Sequence, residues 1–99
     1  MTARKRSPGF RITGGKGFHI TFENGYSISV QFGPGNYSDN HDMAIGAQDL
    51  EAGRIGSTTA EIAIIGLDGQ LEKRPGGDTV EGYVSPERVA EVIAEVVSR

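Results

Sequence analysis

The sequence predicts an α+β domain: an antiparallel sheet of four or five strands built from two hairpins, with a C-terminal helix packed on one face. Three observations carry this expectation. Two stretches of alternating apolar residues flank Asn24-Gly25. A second pair of strand-like stretches flanks Leu67-Asp68-Gly69. The chain then ends in a stripe of valines at helical spacing behind a Ser85-Pro86 start signal.

The first hairpin begins at Lys16-Gly17 and sets Phe18, Ile20 and Phe22 on one face, His19, Thr21 and Glu23 on the other. After the turn, Tyr26, Ile28, Val30 and Phe32 alternate with Ser27, Ser29 and Gln31. A two-residue Asn-Gly loop would oppose Phe22 with Ser27 and put the two apolar sets on different faces, since directly opposed residues share a face. A three-residue loop, Glu23-Asn24-Gly25, pairs Phe22 with Tyr26, Ile20 with Ile28 and Phe18 with Val30. It requires Gly25 in the left-handed conformation of a bulge.

The second hairpin joins Thr59 to Ile65 with Gln70 to Lys73 through the same kind of turn, so that Ile65 faces Leu71. Ala60, Ile62 and Ile64 lie on one face, Ala63 and Ile65 on the other, so this strand is expected to be central or covered. Arg74 to Asp78 is a Pro-Gly-Gly loop, and Thr79 to Val84 a short fifth strand. In the helix, Ser85 is the N-cap, Pro86 the first helical residue and Glu87 an acid in the first turn. Val89, Val92, Ile93, Val96 and Val97 form the buried stripe. Valine and isoleucine are poor helix formers, so packing on the sheet has to sustain the helix. Glu87, Glu91 and Glu95 form a solvated face.

A chain of 99 residues is one domain. The division expected is a basic, flexible N-terminal segment, residues 1–15, followed by a single domain, residues 16–99. Arg4, Lys5, Arg6, Arg11 and Lys16 fall within the first 17 residues without any acid, which leaves the rest strongly acidic. A basic arm can meet a polyanion, but the acidic body would repel a long duplex, which argues against nucleic acid as a partner. With no cysteine there is no disulfide framework, thiolate nucleophile or cysteine-ligated zinc. No run of 18 apolar residues exists, and Met1 to Phe10 lacks an apolar leader core. A cytoplasmic protein without membrane contact is expected.

The long connector between the hairpins is where function is expected, because loops beyond about 12 residues are usually functional or disordered. Gly33 and Gly35 flank Pro34 and permit close backbone approach to a ligand. Asn36, Tyr37 and Ser38 add hydrogen-bonding groups and one aromatic face. Tyrosine rings with neighbouring amides suit a base and a phosphate together. Lys16, Arg54 and Arg74 are the cations expected to meet phosphate, with Tyr83 a second aromatic partner. The competing reading of the same loop is a structural turn. Met43 to Leu50 is expected as a short helix capped by Asp42.

Catalysis is the weaker expectation. His19-Ile20-Thr21 is an H-x-T tripeptide of the kind two-histidine phosphoesterases carry in pairs, and the second histidine reads His41-Asp42-Met43, so the pair is missing. Asp39, His41 and Asp42 are too close on one loop to converge on an ion, and they read as a polar turn. No catalytic residue, metal site or cofactor is assigned.

Three segments carry a resemblance: Phe22-Glu23-Asn24-Gly25-Tyr26, Ser29 to Tyr37 (Ser-Val-Gln-Phe-Gly-Pro-Gly-Asn-Tyr), and Asp78 to Ala90. As a set they resemble a small uncharacterised family encoded by phages and mobile elements. The resemblance spans roughly residues 17–97 and implies context rather than chemistry. Small phage proteins of similar size and character include sponges that sequester the nucleotide signals of bacterial immunity.

The expected function is therefore a non-catalytic protein that sequesters a small anionic ligand, such as a cyclic nucleotide, through the Gly33 to Ser38 loop. A homo-oligomer is expected because a core this small is marginal. The alternatives are a protein-interaction module that inhibits or adapts a host protein through the acidic helix face, and a small phosphodiesterase-like enzyme.

Overall fold

A computed structural model describes residues 6–14, 16–42, 48, 53 and 56–99 of the chain. Five antiparallel strands form one sheet in sequential order: β1 (Gly9–Ile12), β2 (Gly17–Thr21), β3 (Ser27–Gln31), β4 (Ala60–Ile65) and β5 (Glu81–Val84). A helix, α1 (Pro86–Val97), follows. The architecture is the α+β sheet and helix expected. The expected helix at Met43 to Leu50 lies outside the described residues.

The β2–β3 hairpin adopts the three-residue loop. Phe18 opposes Val30 and Ile20 opposes Ile28, and the Phe22 N–H donates to the Tyr26 carbonyl at 2.9 Å. Gly25 has φ +92°, the positive value that this bulge demands. Asn24 does two jobs in the turn. Its Oδ1 accepts from the Tyr26 N–H at 3.1 Å, and its Nδ2 donates to the Val96 carbonyl at 2.8 Å, a carbonyl in the last turn of α1 that also accepts from the Arg99 N–H at 3.3 Å. The helix therefore ends on a side chain from a turn more than 70 residues earlier.

Gly69 likewise has φ +82°, Gly66 donates to the Gln70 carbonyl at 2.8 Å, and Ile65 bridges to Leu71. The return segment differs from expectation. Among the described residues Gln70 to Lys73 pairs with β4 through that one bridge, whose second bond is Glu72 N–H to the Ile64 carbonyl at 2.9 Å, before the chain leaves β4 at the Pro-Gly-Gly loop. It rejoins β4 as β5, where Ile62 opposes Glu81 and Ala60 opposes Val84. Leu71 to Val84 is thus one interrupted partner for β4 rather than two strands. The loop is excluded because proline lacks an N–H and Gly76 and Gly77 both adopt positive φ.

The expected fifth strand is present as β5, and the strand missing at Gln70 to Lys73 is made up from the segment expected to be a flexible arm. Gly9–Ile12 pairs with β2, Phe10 opposite Ile20 and Arg11 opposite His19. Residues 9–12 are therefore part of the domain, not of a lead-in. Their alternation was short and lay beside charges, so it carried no periodic signal.

The core lies between the sheet and α1. Ile28, Val30, Ala60, Ile62, Ile64 and Val84 from the sheet enclose Val92 and Val96 from the helix, with Phe18, Ile20, Phe22 and Tyr26 packed at its margin. Ser85 caps α1 by accepting from the Arg88 N–H at 3.1 Å, and Pro86 opens the first turn. β4 is interior, as its apolar faces require. Alternation sends the neighbouring side chains, His19, Thr21, Ser27, Ser29, Gln31, Glu61 and Ala63, to the face opposite α1.

Candidate functional site

The loop from Gly33 to Asp42 folds back over β5. Its backbone closes on itself through Asn36 N–H to the Gly33 carbonyl at 3.1 Å and Gly35 N–H to the His41 carbonyl at 3.1 Å. Ser38, expected to bind a ligand, is fully buried and holds the loop together. It accepts from the Gly33 N–H at 3.3 Å and donates to Asn40 Oδ1 at 2.8 Å. Asn40 in turn donates to the Gly56 carbonyl at 3.1 Å. His41, Asp42 and Asp39 are likewise engaged locally, His41 with Ser38 and Asp42, Asp39 with Thr58 and Thr59.

The remaining residues of the expected site divide. Gly33 is packed by the Lys16 stem, so those two do meet: a Cβ at Gly33 would lie 3.4 Å from Lys16 Cγ. Gly35 needs its positive φ of +83°, Pro34 and Asn36 are half-buried, and Asn36 Nδ2 is buried without a partner among the described residues. Tyr37 and Tyr83 come together, ring centroids 6.5 Å apart, both about half exposed, with the His41 ring edge-on to Tyr83 at 6.4 Å. Two backbone features permit this. β5 carries one more residue than β4 between its two paired positions, a bulge in which Tyr83 adopts φ +52° and donates its N–H to the Tyr37 carbonyl at 2.8 Å. Gly82 leaves room for Tyr37, whose Cβ would be 2.7 Å from any Cβ added there.

Arg74 corrects the expected set of phosphate-binding cations. Its side chain is 6% exposed and donates through Nε and Nη2 to Glu81, at 3.3 and 3.1 Å, while Arg88 donates to the other oxygen of that carboxylate at 3.1 Å. The guanidinium is consumed by a buried ion pair and is not offered to a ligand. Burial alone would raise the Glu81 carboxyl, but hydrogen bonds and charge from Arg88 and Arg74 outweigh it and hold it below the usual carboxylate range. Arg54 lies outside the described residues.

A second concavity, about 370 Å³, opens on the face of the sheet opposite α1, over β1 and β2. Arg6, Arg11, His19, Thr21 and Ser27 line it together with residues 7–10 and Ile65, and among the described residues no carboxylate is in the lining. The strand pairing explains the composition: Arg11 opposes His19 and Gly9 opposes Thr21, which opposes Ser27, so every side chain of these rows points to the same face. Arg6 is fixed by four bonds. Nε donates to Ser27 Oγ at 3.0 Å, and Nη2 to the carbonyls of Gly25, Gly66 and Ile65 at 2.9, 2.9 and 3.3 Å. Arg11 projects from β1, exposed, and among the described residues it makes no ion pair.

His19 is pushed below its ordinary pKa, first by burial and then by the positive charges of Arg11 and Arg6. It is therefore a neutral imidazole at pH 7, and protonation becomes easier when an anion offsets the arginines. The free protein should lose stability as pH falls from above 6.5 through the lowered pKa of His19, because the unfolded chain takes up the proton first. Urea midpoints of His19→Gln should be flatter than wild type between pH 7.5 and 5.5; an unchanged slope would assign the effect to other groups.

The groove was half legible. The H-x-T tripeptide and the Ser27, Ser29, Gln31 alternation marked a polar face, but Arg6 and Arg11 join it only through β1. A comparison with known proteins found no matching family model, no matching curated sequence and no matching solved structure. Among the described residues no group of three or more metal-binding side chains is present, and no helix is long and apolar enough to cross a membrane.

Proposed function

We propose that the protein binds a small anionic ligand without transforming it, acting in the cytoplasm as a phage-type sequestering protein for a nucleotide signal, with the groove over β1 and β2 receiving the anionic group. One observation carries this reading. In a chain of net charge −3, two arginines and a histidine surround one concavity whose lining, among the described residues, holds no acid. Like charges are gathered there against their mutual repulsion, and an anion supplies the compensating charge. Arg6 is held rigid by backbone carbonyls, so its placement requires little reorganisation on binding. Thr21 Oγ1 and Ser27 Oγ, 2.7 Å apart, add hydroxyls to the same wall. The volume suits a ligand of nucleotide size. The exposed Tyr37–Tyr83 pair lies by β5, at the other edge of the sheet, and does not line this groove.

The test is calorimetry against a panel of cyclic nucleotides and inorganic pyrophosphate, with recovery of the ligand after heat denaturation. Arg11→Ala should weaken binding at least tenfold, the order of one charge-assisted hydrogen bond of about 1.5–3 kcal/mol. Affinity should rise as pH falls from 7.5 to 6 and lose that dependence in His19→Gln. Binding unaffected by Arg11→Ala would place the ligand elsewhere, and absence of binding across the panel would remove the reading.

Chemically altered ligand would favour a phosphodiesterase-like enzyme, for which the shared orientation of His19 and Thr21 beside Arg11 is the supporting observation. The interaction-module reading is weakened by the helix itself. Glu91 lies 3.9 Å from Arg88, and Glu95 3.1 Å from Arg99, so two of the three acids are partly offset by neighbours.

A further inference from the structure

Among the described residues β1 is a sheet edge, and its outer rim is polar backbone beside exposed apolar side chains. The Thr13 N–H donates to the Gly17 carbonyl at 3.0 Å, which sets the alternation of the ladder: Gly9, Arg11 and Thr13 turn their backbone groups to β2. Phe10 and Ile12 therefore turn theirs outward. Their side chains lie on the helix side of the sheet, beyond the reach of α1, and are 84% and 81% exposed. An open strand edge of this kind is a template for another strand.

We propose that the occupant is a second copy of β1, paired antiparallel about a two-fold axis through Arg11, and that the anion groove is completed by Arg11 of the second copy. This rests on the groove being the anion site. A two-fold axis normal to the sheet keeps each face on its own side, so only registers that oppose residues of like parity are allowed. With Arg11 opposite its copy, Phe10 and Ile12 exchange both backbone bonds across the axis at each of two positions, making four hydrogen bonds. Shifting by one pair so that Phe10 faces itself would bring Ile12 against Pro8, which has no N–H to give. The Arg11-centred register also sets Phe10 against Ile12 of the other copy on the helix side, extending the strip that Phe18 and Ile20 begin in β2.

The same register explains why the contact would respond to ligand. The two Arg11 residues form the non-hydrogen-bonded pair, with Cα atoms about 4.5 Å apart on the groove side. Directly opposed like charges destabilise a pair of strands. A polyvalent anion lying between them converts that repulsion into two charge-assisted contacts, so anion binding and dimer formation reinforce one another by linkage.

The experiment is sedimentation equilibrium of the full chain over a concentration series, with and without saturating pyrophosphate, beside calorimetry. Wild type should dimerise, with a dimer dissociation constant lowered at least tenfold by pyrophosphate. Ile12→Pro removes only an outward N–H, a substitution an edge strand accommodates. It should keep the wild-type circular dichroism, become monomeric, and bind pyrophosphate at least tenfold more weakly although it alters no groove side chain. Ile12→Lys serves as the second variant should the proline variant not fold. Wild type that stays monomeric with pyrophosphate bound overturns the pairing while leaving the groove as an anion site. A dimer that persists in both variants places the interface elsewhere and also overturns it. A dimer lost in Ile12→Pro, but indifferent to pyrophosphate because no anion binds, overturns the shared site together with the functional reading.

Discussion

Gly17→Ala is expected to destabilise the domain by about 3 kcal/mol or more, the upper range for imposed backbone strain. A Cβ at this position would sit 2.0 Å from the Val30 carbonyl oxygen and 2.9 Å from Gln31 Cα, with φ at +153°. The obstructing atoms are backbone of β3, so no rotamer change relieves the clash. Either the β2–β3 ladder opens at the Gly17–Gln31 pair or β2 shifts against its neighbours on both sides. Gly14→Ala is the control. It also has positive φ, +56°, but nothing lies within 4 Å of its added Cβ. It should cost only about 1 kcal/mol of left-handed strain. Equal urea midpoints for the two variants would show that φ alone, and not contact with Val30, makes Gly17 necessary.

Glu81→Ala should be of comparable size, about 3 kcal/mol, for a different reason. It leaves the Arg74 guanidinium, 6% exposed, without its carboxylate, and removing one partner of a buried pair strands the other charge. The double variant Arg74→Met with Glu81→Ala should recover most of the loss, because it deletes the stranded charge as well. If the double variant is as unstable as the single, the cause is lost packing around β5 rather than an unpaired charge. The same pair gives a pH signature. The folded Glu81 carboxyl titrates below its unfolded value of 4.5, so its contribution is full above that value and disappears as pH falls through the lower, folded pKa. Wild type should therefore lose stability below pH 4.5 more steeply than the double variant.

Both predictions concern residues whose importance local pattern does not reveal. Gly17 preceded a strand and looked like punctuation, whereas it is required because the Val30 carbonyl approaches it from β3. Arg74 sat in a Pro-Gly-Gly loop, where cations are ordinarily solvated and available. Glu81 buries it, seven positions away and across the excursion that separates Leu71 from β5. Ser38 follows the same logic: its hydroxyl suited a ligand by type, but Gly33 and Asn40 use it to close the loop.

Periodicity and turn chemistry by themselves determined the first hairpin, the three-residue register of both turns, the helix with its Ser85 cap, and the identity of the core face. These depend on interactions between residues close in sequence and on an alternation that repeats over several positions, so they survive without knowledge of the fold. The pairing of Tyr37 with Tyr83 was legible only as a suspicion of shared chemistry. Tertiary structure decided the rest. It recruited Gly9–Ile12 as the edge strand and reduced Gln70 to Lys73 to a single bridge. It withdrew Arg74 and Ser38 from any ligand and gathered Arg6, Arg11 and His19 around one groove. Ser38 is taken up by closure of its own loop, which no periodicity encodes. The others depend on which distant backbone or charge lies across the sheet, and a strand of four residues carries too few alternations to announce its partner.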